Sequence, residues 1–415
     1  MMIVNLEYKN GELNWGEVNL RKIAEEFGTP LFIYSADEFL GRLKLLAKCA
    51  DYEKLICFSL KSNSVVPLLK EASQNGFGAD VVSGGELFIA EKAGFSPQKI
   101  VFSGIGKTNE EILQADQKGI LLLNIESESE YRFVKKLFSE NGGKLNFGVS
   151  FRVKFEVELE KLHPYLGVGK KDSKFGLSEE EALLLYEDAL KSKIYPKGLH
   201  FHLGSQIKDI EIFRKAVELA TRFLSKIKEK GIKLEWVDVG GGLGLDYENL
   251  TEPSFKDYAD SFKPIADEGY KIIFEIGRAV SAPSGVLITK VIRKKKTPTK
   301  NFLIVDAGMT EILRIPLYKA YHKIIPLTQG DSEKTFDVVG PICENSDYIG
   351  QNVLLPDLEE GEFLCVLYAG AYTSSMSSNY NGRTFPAEVV IKGNKFFLAR
   401  RRQTLDELIS RDQID

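Results

Sequence analysis

The apolar run Ile56-Cys57-Phe58-Ser59-Leu60 ends in Lys61, with Ser62 and Asn63 behind it. A lysine at a strand end is held in place, and a buried amine loses proton affinity and becomes a nucleophile toward carbonyls. Most lysines are solvated, so this position needs company. Three further places supply it. Gly240-Gly241-Gly242-Leu243-Gly244 follows another apolar run, and consecutive glycines let backbone N–H groups approach an anion. A flexible turn is the plainer reading of the same residues. Glu275-Ile276-Gly277-Arg278 closes a third run; its arginine suits a phosphate or carboxylate, unless the two charges are a surface pair. His200 and His202 share a face by strand alternation, as core residues or ligands, but no cysteine or acidic set with zinc spacing accompanies them, so no metal site is expected. An amine able to form a Schiff base, an anion cradle, an imidazole and a carboxylate for a ring nitrogen are the needs of pyridoxal phosphate.

These residues require a scaffold with many strand ends on one side. Short apolar runs at 55–60, 79–82, 99–103, 120–125, 145–152, 197–202, 234–239 and 271–276 alternate with segments of helical period at 64–75, 84–93, 108–118, 127–140, 178–191, 208–230 and 254–268. Eight such repeats predict a (β/α)8, TIM-like barrel of the α/β class over residues 30–280, with Lys61 at the mouth formed by strand ends. The glycine run then follows the seventh strand, where phosphate commonly binds. From about 285 the pattern turns to strands at 285–292, 301–305, 335–339, 362–368, 386–391 and 395–400. These predict a mostly antiparallel β-barrel or sandwich from residues 1–29 and 281–415. Gly393-Asn394 is its clearest hairpin turn, and Glu360-Gly361 is a second turn. The irregular stretch 154–176 is a candidate active-site loop.

Composition excludes several classes. The 415 residues carry 55 basic and 59 acidic side chains, a net charge of −4, without a basic domain, so no nucleic-acid partner is expected. Cys49, Cys57, Cys343 and Cys365 have neither disulfide-framework nor metal spacing. With no signal-peptide pattern and no apolar run of about 20 residues, the expectation is a cytoplasmic protein without a membrane partner. Gly104-Ile105-Gly106-Lys107-Thr108 resembles the tail of a phosphate-binding loop, but Val101 stands at the place of its first glycine.

The chain also resembles the diaminopimelate decarboxylase family, pyridoxal-phosphate enzymes of the alanine-racemase-like fold (fold type III). The likeness runs through FSLKSN, GADVVSGGEL, HPY…KFG, GLHFHLGSQ, DVGGGLG, EIGR, VDAGM, CEN and GAYTSSMSSNYNGR. The resemblance implies that Lys61 forms the Schiff base and His202 stacks on the cofactor ring. It implies that Ser205, Gly241, Gly242, Glu275, Ile276, Gly277, Arg278 and Tyr372 hold the cofactor, with Glu275 at the pyridine nitrogen. Cys343 is implied as proton donor; its plain reading is a small buried apolar residue. Arg278, Arg314, Tyr318, Glu344 and Tyr372 would bind a substrate with an amino acid at both ends, meso-2,6-diaminopimelate, giving L-lysine and CO2. A solvated arginine is the alternative for Arg314. Relatives imply a homodimer with Cys343 and Glu344 contributed across the interface. The family often has Pro at the place of Ile276 and a GDF-like sequence at Ser346-Asp347-Tyr348, and the segment after Arg152 diverges. Rival expectations are an ornithine- or arginine-type decarboxylase, an amino-acid racemase on the same fold, or a cofactor-binding regulator without activity.

Overall fold

The computed structural model describes residues 5–157, 173–251, 254–331 and 334–413. Two compact units divide the chain. One comprises Arg42–Leu245 and Glu252–Ala279; the other comprises Met1–Gly41, Asp246–Thr251 and Val280–Asp415.

The first unit is a closed barrel of eight parallel strands: β1 (Lys54–Ser59), β2 (Gly78–Val81), β3 (Ile100–Phe102), β4 (Leu122–Ile125), β5 (Gly148–Arg152), β6 (Gly198–His200), β7 (Trp236–Asp238) and β8 (Lys271–Ile276). Strand β8 closes against β1. The strands read as nearly continuous apolar runs because helices cover their outer faces and side chains fill the lumen. Helix Ile210–Glu229 turns Phe213, Ala216, Val217, Ala220, Phe223, Leu224 and Ile227 inward, a three-and-four spacing that puts them on one stripe. Around its neighbour, Phe262 packs edge-on against Tyr258 and Phe274, and Phe213 packs edge-on against Tyr258 and Phe262. Helix starts are fixed by side-chain caps: Thr108 with Glu111, and Ser178 with Glu181, form reciprocal capping boxes. Parallel register sets His200 opposite Asp238 on one side and Arg152 on the other, so three polar groups meet at the level where the lumen opens.

The second unit holds a mixed sheet ordered Tyr348–Leu355, Lys334–Val339, Asn301–Val305, Gly285–Lys296, Leu31–Ser35, Ala387–Lys392 and Lys395–Arg400. Phe363–Val366 pairs with Gly285–Lys296 and carries Ile324–Pro326 beside it. Most pairs are antiparallel; Leu31–Ser35 with Ala387–Lys392, and Asn301–Val305 with Lys334–Val339, are parallel. Leu6–Lys9, Glu12–Trp15 and Val18–Asn19 form a small sheet of their own, and their apolar residues join one core with Ile33, Val286, Cys365 and Val389. Because Leu31–Ser35 is a central strand here, the boundary expected near residue 30 falls at Gly41/Arg42. Gly393 occupies the left-handed region at φ 57° in a two-residue turn between paired Lys392 and Lys395. Strand Tyr348–Leu355 and short helix Arg314–Tyr318 had no counterpart in the sequence pattern. Among the described residues no helix is long and apolar enough to cross a membrane. Most of the expected loop 154–176, with the His163-Pro164-Tyr165 motif, lies outside the described residues.

Candidate active site

Strand β1 ends in a turn of 3-10 helix, Leu60–Ser62, which brings Lys61 Nζ to 2.8 Å from Asp80 Oδ2 of β2. Asp80 belongs to a buried polar layer across the lumen that also contains Ser103, Asn124, His200, Asp238 and Glu275. Ser103 Oγ donates to Glu275 Oε1 at 2.9 Å, and Asn124 Nδ2 donates to Ser103 Oγ at 3.0 Å and to Asp238 Oδ2 at 3.1 Å. The Gly240 N–H donates to Asp238 Oδ1 at 3.0 Å, while His200 Nε2 stands 3.6 Å from Glu275 Oε2.

Three carboxyls in one dry layer cannot all ionise at ordinary cost, and their surroundings separate them. For Glu275, burial pushes the pKa up, but the His200 imidazole beside it, then the charge of Lys61, outweigh it and hold the carboxyl well below the usual range. Burial and the Glu275 charge push Asp238 well up, beyond what its Gly240 and Asn124 donors recover. Asp80 is raised by burial and by Glu275 more than Lys61 pulls it down. Ionisation is thus easiest at Glu275 and hardest at Asp238, with Asp80, paired with Lys61, between them. His200, Asp238 and Glu275 could also gather around a cation, but one oxygen of Glu275 already accepts from Ser103.

Above this layer lies the glycine segment. The Gly241 N–H donates to His202 Nδ1 at 3.1 Å, so Nδ1 carries a lone pair and the hydrogen of the neutral ring sits on Nε2. Burial first, then the charges of Arg152 and Lys61, hold the His202 pKa well below the imidazole range, so the ring is neutral. Any Cβ on Gly241 would stand 1.9 Å from the Glu275 carbonyl oxygen, and one on Gly242, at φ 99°, would stand 2.3 Å from the Gly204 carbonyl oxygen. Glycine is required at both places by backbone approach. Arg278 is buried, and its Nη2 and Nε donate to Ser205 Oγ at 3.0 and 3.3 Å. Ile276 is buried, and Gly277 packs against Ser62, where a Cβ would come within 3.0 Å. The isoleucine at 276 thus sits in the core, and its side chain leaves the adjoining polar groups in place.

Lys61, His202, Ser205, Gly241, Gly242, Glu275, Ile276, Gly277 and Arg278 all belong to the barrel unit. Cys343, Glu344, Arg314, Tyr318 and Tyr372 belong to the other. There Arg314 is buried, Tyr318 and Tyr372 are half-buried, and Tyr372 has a left-handed φ of 55°. Cys343 and Glu344 are exposed; the Cys343 N–H donates to Asn381 Oδ1 at 3.1 Å, and Tyr380 Oη donates to Glu344 Oε1 at 2.6 Å. The reading of Cys343 as a buried apolar residue does not hold for this exposed side chain, nor does that of Arg314 as a solvated one.

Asp80, Ser103, Asn124 and Asp238 were not singled out in the sequence. The available signal was a lone Asp or Asn inside an apolar barrel strand, a residue type that is seldom fully buried without a task.

An amine at a strand end, a neutral imidazole, a glycine cradle and a lumen carboxylate fit the aldehyde, ring, phosphate and pyridine nitrogen of pyridoxal phosphate. Residues 37–282 match the pyridoxal binding domain of pyridoxal-dependent decarboxylases. Barrel and site therefore define a decarboxylase of the pyridoxal-dependent class. The chain is 40% identical to diaminopimelate decarboxylase of Aquifex aeolicus, covering 97% of this chain and 96% of that protein. It is 39% identical to that of Vibrio cholerae, covering 96% of each. The crystal structure of the Helicobacter pylori diaminopimelate decarboxylase complexed with L-lysine superimposes with a TM-score of 0.90 at 38% identity, covering 95% of this chain and 99% of that one. A lysine/ornithine decarboxylase of Vibrio vulnificus shares the fold at 21% identity and a TM-score of 0.79. The chain belongs to the diaminopimelate decarboxylase family, which places it among the carboxy-lyases.

Proposed function

We propose that this chain binds pyridoxal 5'-phosphate through Lys61 and removes one carboxylate of meso-2,6-diaminopimelate, giving L-lysine and CO2, the last step of lysine biosynthesis. The observation that carries the reading is Glu275, buried in the same lumen as the Lys61 amine with Ser103 donating to one of its oxygens. When bound, the cofactor supplies an electron sink for the pair left by the departing CO2. Glu275 would hold a proton on the pyridine nitrogen by charge, and His202 would present a neutral face to the ring. Gly241, Gly242, Ser205 and Arg278 would hold the phosphate, with Ile276 and Gly277 fixing the strand end that carries Arg278. Lys61, steadied by Asp80, is the attachment amine.

In the second unit, Cys343 Sγ would deliver the proton that replaces CO2, and Tyr372 would contact cofactor and substrate. Arg314 and Tyr318, with Arg278, would bind the carboxylate that stays, and Glu344 the ammonium beside it. The exposure of Cys343 and Glu344 supports a homodimer in which each subunit lends both residues to its partner's site. If so, mixing Lys61→Ala and Cys343→Ala chains should regenerate one intact site in each mixed dimer, about a quarter of the wild-type number. No recovery on mixing would refute shared sites. Four free thiols support a reducing compartment such as the cytoplasm.

A substrate panel tests the whole reading. Purified protein should release CO2 from meso-diaminopimelate only with pyridoxal phosphate, and much faster than from ornithine, arginine or lysine. Equal or faster turnover of ornithine or arginine would transfer the assignment to the basic amino-acid decarboxylases. A buried arginine, Arg314, favours a substrate with a second carboxylate.

A further inference from the structure

Arg314 is held by a specific partner. Its Nη1 lies 2.9 Å from His322 Nε2, and His322 Nδ1 lies 2.9 Å from the Leu367 carbonyl oxygen. Both side chains are buried, at 4% and 2% exposure. A guanidinium nitrogen can only donate, and a carbonyl oxygen can only accept. The two contacts therefore select one form of the ring: Nδ1 carries the hydrogen, given to Leu367, and Nε2 accepts from Arg314. Tyr247 completes the clamp. Its ring lies beneath the guanidinium at 4.9 Å, meets the His322 ring edge-on at 4.9 Å, and is met in turn by Tyr368 at 5.7 Å. The arginine is thus gripped through one edge by an uncharged acceptor and through one face by an aromatic ring. A neutral imidazole orients the guanidinium without adding a charge that would compete with an incoming carboxylate.

We propose that His322, fixed as the Nδ1–H tautomer, is a positioning residue that aims Arg314 at a substrate carboxylate, and that with Tyr247 it sets the preference for substrates carrying that group. The proposal rests on the reading of Arg314 as the ligand of the carboxylate that stays on the product.

The test compares Arg314→Met, His322→Phe, His322→Gln and Tyr247→Leu, each loaded with cofactor. Two ligands separate the effects: L-lysine retains the carboxylate, and 1,5-diaminopentane lacks it. Both are measured as inhibitors, beside KM and kcat for meso-diaminopimelate. Arg314→Met and His322→Phe should each raise KM and the L-lysine inhibition constant about ten- to a hundredfold, with a smaller change in kcat and little change for diaminopentane. His322→Gln, which keeps an acceptor for Nη1, should recover most of the loss. Tyr247→Leu should weaken L-lysine only about two- to fivefold. If His322→Phe does not accumulate as folded protein, the glutamine and Tyr247 variants carry the same comparison. L-lysine inhibition that falls with Arg314→Met but not with the His322 or Tyr247 variants overturns the positioning role alone. Inhibition untouched by Arg314→Met overturns the reading of Arg314 as well. Equal losses against lysine and diaminopentane would reduce His322 to a packing residue and also overturn the proposal.

Discussion

Lys61 Nζ and Asp80 Oδ2 are 2.8 Å apart, joining the end of the first barrel strand to the interior of the second. The aspartate side chain is wholly buried, whereas the lysine is about a third exposed, so one partner is fixed and the other reaches toward the mouth. The pair holds the amine where the strand geometry puts it. Asp80→Asn keeps the shape and removes the charge. We expect folded protein that still binds cofactor but turns over about ten- to a hundredfold more slowly, the scale of one charge-assisted hydrogen bond at a reacting group. Borohydride trapping of the cofactor followed by single-turnover kinetics would check this, and wild-type rates would rule out a role for the pair.

Glu275 is the carboxyl that its surroundings keep ionised, with Ser103 on one oxygen and His200 near the other. Glu275→Gln can still accept a hydrogen bond from Ser103, but it brings no charge. The expected result is a fall in kcat of about 10²–10³ with a much smaller change in KM, because in the proposed role the carboxylate would act on charge that develops during the reaction. Steady-state kinetics at saturating cofactor decide it. A loss confined to KM would instead place Glu275 in substrate binding.

How much of this was legible before the fold was known depends on the range of the contacts involved. The eight barrel strands announced themselves as apolar runs between helical periods, a local signal, and each strand-end residue followed from it. Lys61, His202, Gly241 and Glu275 sit where that spacing put them. The assignment of Leu31–Ser35 was not local. The strand precedes the barrel in sequence but pairs with residues some 250 and 350 positions later, and nothing in its own five residues says so. The same holds for His322 and Arg314, eight residues apart, one opening a short helix and the other beyond its end, whose meeting depends on Tyr247 and Leu367. Asp80, Asn124 and Asp238 lay in plain view, as polar residues inside apolar runs, yet their partners come from different strands and only the closed barrel brings them together.

The glycine segment admits a sharp packing test. A methyl group at Gly241 would require the end of the eighth strand to move, because the obstacle is the Glu275 backbone oxygen at 1.9 Å and not a flexible side chain. Gly241→Ala should lower stability by about 1–3 kcal/mol or more and weaken cofactor retention, since the displaced backbone carries Glu275 and Arg278. Gly106 has no left-handed φ, and a methyl group added there would meet no atom within 4 Å, which makes it the matched control. Gly106→Ala should stay within about 0.5 kcal/mol of wild type. Thermal melts with and without pyridoxal phosphate would separate the two; comparable stability of both variants would contradict the close approach.

Glu86 offers a test of the barrel's electrostatics that does not depend on catalysis. Burial first, then the charge of Asp80, raise its pKa from 4.5 to about 7, while the Val82 N–H and Lys61 recover only part of the cost. Below about pH 4.5 the carboxyl is protonated in folded and unfolded chains alike and contributes nothing to their difference. Between about 4.5 and 7 the unfolded chain releases its proton and the folded chain keeps it, so this residue lowers stability as pH rises. Above about 7 the whole cost is present and the slope vanishes. With the side chain partly exposed, solvent limits that cost to about 1–3 kcal/mol. Glu86→Gln keeps an acceptor for Val82 and removes the titration. Its stability relative to wild type should therefore climb from about pH 4.5 to 7 and level off beyond. Denaturant unfolding at three or four pH values across that range measures the difference directly. A gap that stays constant with pH, or shrinks as pH rises, would mean that Glu86 is ionised in the folded barrel.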